Sequence, residues 1–225
     1  CWFERGTRRS TLRGTVLGNC VSDTVLADVS RYYDTLHFWT QWNRGFRKFS
    51  GTEIQAIHRW LDDPVTGEFS PATIHKLILS CDFRNLGSID ALNAGCGYGG
   101  TMFALQSVLG GRWRGVTVSR SQHRIGLRTA RERNLTEIVT FAHQSFDAPR
   151  PGNYNFIVAI ESLIHSTDPT HTVCNLAQSL RPGGLMIVVD DMPDVKIPDA
   201  AANDLTAFRK LWRCPVMASA EDFAS

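Results

Sequence analysis

The sequence predicts an α/β fold, a mostly parallel sheet covered by helices and preceded by a helical segment. Three observations lead there. From Ser88 onward, short apolar runs alternate with helical patterns, as repeated strand–helix–strand units require. A glycine cluster, Gly95-Cys-Gly-Tyr-Gly-Gly100, follows the first apolar run and opens a helical pattern; glycines are needed where a chain turns sharply and a ligand approaches backbone. Before Ser88 the apolar residues are mainly aromatic and fall at helical spacing.

Strands are predicted over residues 89–94, 113–119, 137–141, 154–160 and 185–190, with helices between them. The clearest helix follows 154–160. Asp168 and Pro169 supply its N-cap and first position, Val173, Leu176, Ala177 and Leu180 share a face, and Pro182-Gly183-Gly184 predicts its end. In front of the sheet, Tyr32, Tyr33, Phe38, Trp39, Trp42, Phe46, Phe49 and Trp60 predict helices lying over it, either as packing elements or as a lid facing a ligand. The expected division is an unassigned segment 1–28, an aromatic-rich helical cap 29–87 and a sheet domain 88–225, with an exposed loop over 193–203.

Composition narrows the function classes. At 225 residues and 43% hydrophobic the chain can bury one sizeable core. Its formal net charge is only +2 and its 24 basic residues are dispersed, so no nucleic-acid partner is expected. Arg120, Arg124, Arg128 and Arg131, at helical spacing, predict a solvated helix face. None of the six cysteines forms a C-x-x-C pair, which predicts a reduced, cytoplasmic protein with no zinc or redox site. No apolar run approaches the length of a membrane span, and the opening lacks a signal-peptide core. Neither membrane insertion nor secretion is expected. His165 and His171 are six apart across Pro169 and fail helical ligand spacing, so no metal is expected.

Gly95, Gly97 and Gly100 also satisfy the G-x-G-x-x-G fingerprint of dinucleotide binding. Such units carry an acid roughly 20 residues on to hold ribose hydroxyls. Here Gly115-Val-Thr-Val-Ser-Arg-Ser-Gln122 contains none. Arg120 could instead accommodate a 2′-phosphate, so an NADP-dependent oxidoreductase stays open as an alternative.

Read together, four ordered segments point elsewhere. The stretch Ala91-Leu-Asn-Ala-Gly-Cys-Gly-Tyr-Gly-Gly100 resembles motif I of class I S-adenosylmethionine-dependent methyltransferases. Gly115–Gln122 resembles the second-strand segment of the small-molecule subgroup of sterol, tocopherol and methylglycine methyltransferases. Ala159-Ile-Glu-Ser-Leu-Ile-His165 resembles that group's fourth-strand end, and Leu180-Arg-Pro-Gly-Gly-Leu185 with Val188-Val-Asp-Asp191 its fifth-strand entry. In the cap, Tyr32-Tyr33-Asp34 and Ile57-His-Arg-Trp60 also match, so the resemblance runs from about residue 29 to 192.

The resemblance implies a Rossmann-like methyltransferase sheet with an N-terminal helical cap, S-adenosyl-L-methionine as cofactor and a small-molecule methyl acceptor. It implies that Gly95, Cys96, Gly97 and Gly99 hold the methionine and ribose end of the cofactor, with Tyr33 reaching its carboxylate. Ser119 and Gln122 would meet ribose and adenine, Ser145 and Phe146 would flank the adenine ring, and Asn93 and Ile160 would also belong to the cofactor site. Two positions depart from the pattern: Asn93 stands where motif I usually has an acid, and Ser145 stands where an acid follows the third strand, unless Asp147 takes that part. Both remain hydrogen-bonding residues. The chain ends at Ser225, before the last two strands expected of this fold, and begins at Cys1; an incomplete sequence is expected.

Methyl transfer from a sulfonium is an in-line displacement, so holding the acceptor and excluding water are the main requirements. Glu161, at the carboxyl end of the fourth strand, is the first catalytic candidate, and His165, four residues later, is a base or an orienting group. Asp190 and Asp191 either line the acceptor pocket or cap a loop. A cap rich in Trp and Phe favours an apolar or aromatic metabolite. A methyltransferase-like domain without turnover is the further alternative, resting on Asn93 and Ser145.

Overall fold

A computed structural model of the chain describes residues 24–36, 58, 61–67, 69–70, 72–148, 153–193, 202–219 and 221–222. A helix over 24–36 (α1) comes first, five residues ahead of the expected start of the cap. A short hairpin, β1 (Leu61–Asp62) and β2 (Phe69–Ser70), and α2 (Ala72–Leu79) follow. The cap aromatics Phe38, Trp39, Trp42, Phe46, Phe49 and Trp60 lie outside the described residues, as does most of the loop expected over 193–203.

The main domain alternates β3 (Asp90–Ala94), α3 (Gly100–Leu109), β4 (Arg112–Thr117), α4 (Arg120–Glu132), β5 (Val139–His143), β6 (Tyr154–Ile160), α5 (Pro169–Gln178) and β7 (Leu180–Val189), and α6 (Ala202–Trp212) comes last. The five strands are parallel and lie in the order β5-β4-β3-β6-β7. The chain winds outward from β3 to β5, then returns to the other side of β3 with β6. A parallel sheet leaves a crevice at such a reversal, outside the carboxyl ends of the two central strands. Here that crevice lies between the ends of β3 and β6.

Alternation along the strands builds a core on each face. Phe156, Val158 and Ile160 of β6 pack with Ile74 and Ile78 of α2, Met102, Phe103 and Leu105 of α3 and Trp113 of β4. Ile157 and Ala159 point the other way, toward Leu92, Val116, Leu163 and Leu176. Both faces are covered, which is why β6 reads as an unbroken apolar run. Trp113 meets Phe156 edge-on with ring centroids 5.7 Å apart.

The helix starts agree with the sequence. The Asp168 side chain accepts from the His171 N–H at 3.0 Å with Pro169 next in line, and Ser119 accepts from the Gln122 N–H at 3.2 Å to open α4. Arg120, Arg124, Arg128 and Arg131 are exposed. Strand and helix ends are corrected in three places. The second strand gives way before Ser119 because that residue becomes a helix cap. The third starts two residues later than predicted, because Leu135 accepts from the Ile138 and Val139 N–H groups and extends the preceding turn. The helix expected to include Leu180 and to stop at Pro182 ends at Gln178: Leu180 already pairs with Tyr154, and the register jumps so that Leu185 pairs with Phe156, Arg181–Gly184 bulging between.

Candidate functional site

The two loops at the crevice touch. Gly95 leaves β3 with φ +75°, and a Cβ on it would stand 2.3 Å from Cβ of Ser162 in the loop after β6. Only glycine permits that approach. Ser162 in turn donates to the Ala94 carbonyl at 2.8 Å, locking the loops together. The loop after β6 is itself held by Asp190, whose Oδ2 accepts from the N–H groups of Ser162, Leu163 and Ile164 at 3.1, 2.8 and 3.2 Å. Burial pushes the Asp190 carboxyl up to about 6, against these three N–H donors and that of Asp191, which favour its ionised form. Asp190 is thus the loop cap of the two readings offered by the sequence. Asp191 lines the cavity beside it.

The cavity at the crevice has a volume of about 90 Å³. Gly95, Gly97, Thr117 and Gln122 form its polar floor, and Phe146 and Ile160 add flat apolar wall. Tyr33 of α1 and Glu161, Ser162 and His165 after β6 stand opposite. These residues suit a ligand that combines a planar apolar ring with hydroxyl and charged groups: the loop opens to backbone where a Cβ is absent, and Thr117 donates to Oε1 of Gln122 at 2.7 Å, orienting a side chain that faces the cavity.

Glu161 adopts φ +45°, a left-handed conformation uncommon for a residue with a Cβ, and its N–H still bonds the Val189 carbonyl at 2.7 Å. Such strain persists where surrounding structure over-determines it, and it marks functional sites. Here it turns the carboxylate to the cavity instead of along the strand.

His165 is buried, and its two ring nitrogens are distinguishable. Nδ1 lies 3.3 Å from the carbonyl oxygen of Arg213, which can only accept, so the ring proton sits on Nδ1. Nε2 is then bare, and the Tyr33 hydroxyl donates to it at 2.7 Å. Burial lowers the His165 pKa from its ordinary value and raises that of Tyr33, keeping both groups neutral. Arg213 offers its carbonyl from a left-handed residue, φ +56°, just after α6, where the Cys214 N–H closes the helix on Arg209 O at 2.9 Å. The end of α6 therefore sets the tautomer of a histidine 48 residues earlier.

Of the residues expected at the site, the cavity gathers Tyr33, Gly95, Gly97, Gln122, Phe146, Ile160, Glu161 and His165. Five others sit behind its wall. Asn93 is buried within β3, opposite Gly115. Cys96 turns inward and is buried, and burial raises its thiol pKa. Gly99 opens α3 at φ +88°, and a Cβ there would meet Cζ of Phe141 at 2.5 Å, so it serves packing against β5. Ser119, with 0% exposure, caps α4 and holds Asp34 at 2.6 Å. Ser145 bonds Asp147, whose other oxygen takes the Thr172 hydroxyl. Asp147 thus ties Ser145 to the start of α5. Asp191 lines the cavity as one of its two sequence readings had it, whereas Thr117, Val118, Ser162, Ile164 and Trp212 were missed as lining residues; the places of Thr117, Val118 and Ser162 at strand ends could have signalled them.

A methyltransferase-domain family profile matches residues 68–221, more than half of the chain. An O-methyltransferase of Aspergillus sclerotiorum, resE, is 32% identical over 142 residues, covering 58% of this chain and 50% of that protein. The ubiquinone biosynthesis O-methyltransferase of Aromatoleum aromaticum is 32% identical over 144 residues, 61% of this chain and 58% of that one. The chain spans only about half the length of these curated relatives. The crystal structure of the [4+2]-cyclase SpnF superposes with a TM-score of 0.64 at 21% identity, covering 87% of this chain and 69% of that one; at that identity the likeness speaks for the fold alone. With a parallel sheet reversing at β3 and β6, a glycine loop at the reversal and this family match, the chain belongs to the methyltransferase-domain family.

Proposed function

We propose that the protein uses S-adenosyl-L-methionine to methylate a hydroxyl oxygen of a small apolar or aromatic metabolite. The observation that carries the reading is the bare Nε2 of His165, fixed in its tautomer by Arg213 and facing the same cavity as the glycine loop. Family membership and relatives named as O-methyltransferases support it. An NADP-dependent oxidoreductase is not favoured, since the family match is to methyltransferases and Arg120 is exposed away from the cavity lining.

Gly95, Gly97, Thr117, Gln122, Phe146 and Ile160 would hold the cofactor. When bound, it supplies a methyl group activated by a sulfonium. The protein's own part is to take a proton from the acceptor and keep water out. A neutral hydroxyl is a poor nucleophile, and Nε2 of His165 accepts its proton as the oxygen reacts. The resulting imidazolium keeps its Nδ1–H on Arg213 O, and Glu161, which lines the same cavity, supplies a negative charge that favours it. Before the acceptor arrives, Tyr33 occupies the lone pair of Nε2; the acceptor hydroxyl takes its place. Leu26, Val29, Leu36, Ile164 and Trp212 give the mouth an apolar lining, which suits an apolar acceptor.

The dispersed basic residues support a partner other than nucleic acid, and no described helix is long and apolar enough to cross a membrane. Among the described residues Cys81, Cys96 and Cys174 form no disulfide, which supports a cytoplasmic setting. The test is methyl transfer from labelled S-adenosylmethionine to a panel of phenols and their amine and carbon-acid counterparts. Transfer to phenols that falls at least about 10²-fold in His165→Ala supports the reading; transfer only to amines or carbon contradicts it.

A further inference from the structure

Helix α1 is fastened to the sheet domain at several points. Tyr33 reaches His165, Ser30 donates to the Val118 carbonyl at 2.9 Å and Asp28 pairs with Arg213 at 3.6 Å. The fastening through Asp34 is the most elaborate. Oδ1 of Asp34 accepts from the Ser119 hydroxyl at 2.6 Å, from the Ser121 N–H at 3.2 Å and from the Ser121 hydroxyl, while the two hydroxyls lie 2.9 Å apart. The carboxylate thus rests on the first turn of α4, where free N–H groups and the helix dipole favour negative charge.

That turn carries the residues that floor the cavity. Thr117 ends β4, Ser119 caps α4 and Gln122 sits in its first turn, with Thr117 and Gln122 bonded to each other and both lining the cavity. One carboxylate therefore holds two things at once: the turn that shapes the cavity floor and the helix that carries Tyr33 over its opposite side. A cavity of about 90 Å³ is below the roughly 300–1,000 Å³ of small-molecule sites, so its walls, α1 among them, must part to admit cofactor and acceptor together.

We propose that Asp34 is a positioning residue for the transfer: its clasp on Ser119 and Ser121 closes α1 over the site and sets the β4–α4 turn in its ligand-binding shape. The assignment rests on the methyltransferase reading for the identity of the ligand, but the clasp itself does not. Asp34 acts through Ser119 and Ser121, bringing Tyr33 and the turn to Glu161 and His165. Charge-assisted bonds to hydroxyl and N–H donors are the stronger class, and their loss should release the helix without disturbing the buried sheet.

The experiment compares the full chain with Asp34→Ala, Asp34→Asn, Ser121→Ala and the double variant Asp34→Ala/Ser121→Ala. Hydrogen exchange without ligand should rise about 10-fold or more over residues 24–36 in Asp34→Ala, with the β3 and β6 amides unchanged, and Asp34→Asn should fall between wild type and Asp34→Ala. S-Adenosylhomocysteine affinity should drop about 10-fold in Asp34→Ala, and adding Ser121→Ala should cost little more, because the partner is already lost. Wild-type exchange over 24–36 in Asp34→Ala overturns the proposal, as does equal loss of protection throughout the sheet, which would make Asp34 a residue of global stability. If wild type fails to bind S-adenosylhomocysteine, the cofactor reading falls, while the ligand-free exchange still decides whether the clasp exists.

Discussion

The hydroxyl of Tyr33 and Nε2 of His165 are 2.7 Å apart although 132 residues separate them in the chain. Their rings meet nearly at right angles, at 88°, and the contact closes one wall of the cavity with a neutral pair. A histidine held neutral with Nε2 bare is a base in waiting. Tyr33→Phe should therefore leave proton removal intact and mainly weaken closure, raising KM several-fold with a modest change in kcat. His165→Gln should lower kcat by about 10²-fold or more with little effect on cofactor affinity. Steady-state kinetics on a methylated phenol would separate the two; equal effects of both variants on kcat would make the pair a single catalytic unit.

Burial lowers the His165 pKa from its ordinary value, so the basic form should persist as the medium turns mildly acidic. The acid limb of kcat/KM is expected below the ordinary histidine value of about 6.5. A limb above that value would show that the group titrating is not a buried histidine.

Glu161 combines strain with a place in the cavity. If its charge steadies the imidazolium of His165, Glu161→Gln should lower single-turnover transfer about 10²-fold while cofactor affinity changes little. Equal losses in rate and affinity would move Glu161 to the cofactor side. Glu161→Gly should raise stability relative to Glu161→Gln, because glycine adopts φ +45° without strain.

Two buried groups should tilt the pH dependence of stability in opposite directions. His75 bonds His58 at 3.1 Å and Thr101 at 3.2 Å, and burial, with the neighbouring His58 charge, lowers its pKa to about 4. Its folded pKa is below its unfolded one, so the stability it gives is present above about 6.5 and lost as the pH falls toward 4, about 3 kcal/mol at that pH. Asp190 is raised to about 6, so its contribution is full below its ordinary value of 3.8 and is lost as the pH rises through 6. Denaturant melts from pH 7 to 4 should show a steeper acid loss in Asp190→Asn and a shallower one in His75→Gln. Identical slopes in all three proteins would refute both assignments.

Gly95→Ala should destabilise the protein by at least about 2 kcal/mol, since its Cβ meets Ser162 at 2.3 Å and its φ is +75°. Chemical denaturation measures this directly. An unchanged midpoint would mean that the two loops part freely.

The parallel sheet was legible because its period-2 and helical patterns survive in sequence, and because Asp168-Pro169 announces a helix start through local chemistry. The glycine loop was legible for the same reason. Part of the cavity was legible where a residue sits at a strand end, since Glu161 and His165 follow β6 and Phe146 follows β5, and part, Tyr33 and Gln122, only through the family resemblance. Ser119 could not be placed from sequence, because its use as a helix cap and as a partner of Asp34 depends on where α1 docks. Nor could Gly115, which reads as an ordinary strand residue until Cys96 and Met102 are seen crowding it, at 2.6 and 2.7 Å from a Cβ placed there. The Arg213–His165 bond spans separate elements and leaves no local trace.

The measurement that tests the account most directly is calorimetric titration of the chain with S-adenosylhomocysteine and with NADPH, repeated on Gly97→Leu, whose side chain would fill the glycine loop facing the cavity. The account predicts saturable binding of S-adenosylhomocysteine at one site, no measurable binding of NADPH, and loss of the first in a Gly97→Leu protein that remains folded. Binding of NADPH in preference to S-adenosylhomocysteine, or unchanged S-adenosylhomocysteine binding in folded Gly97→Leu, would contradict it.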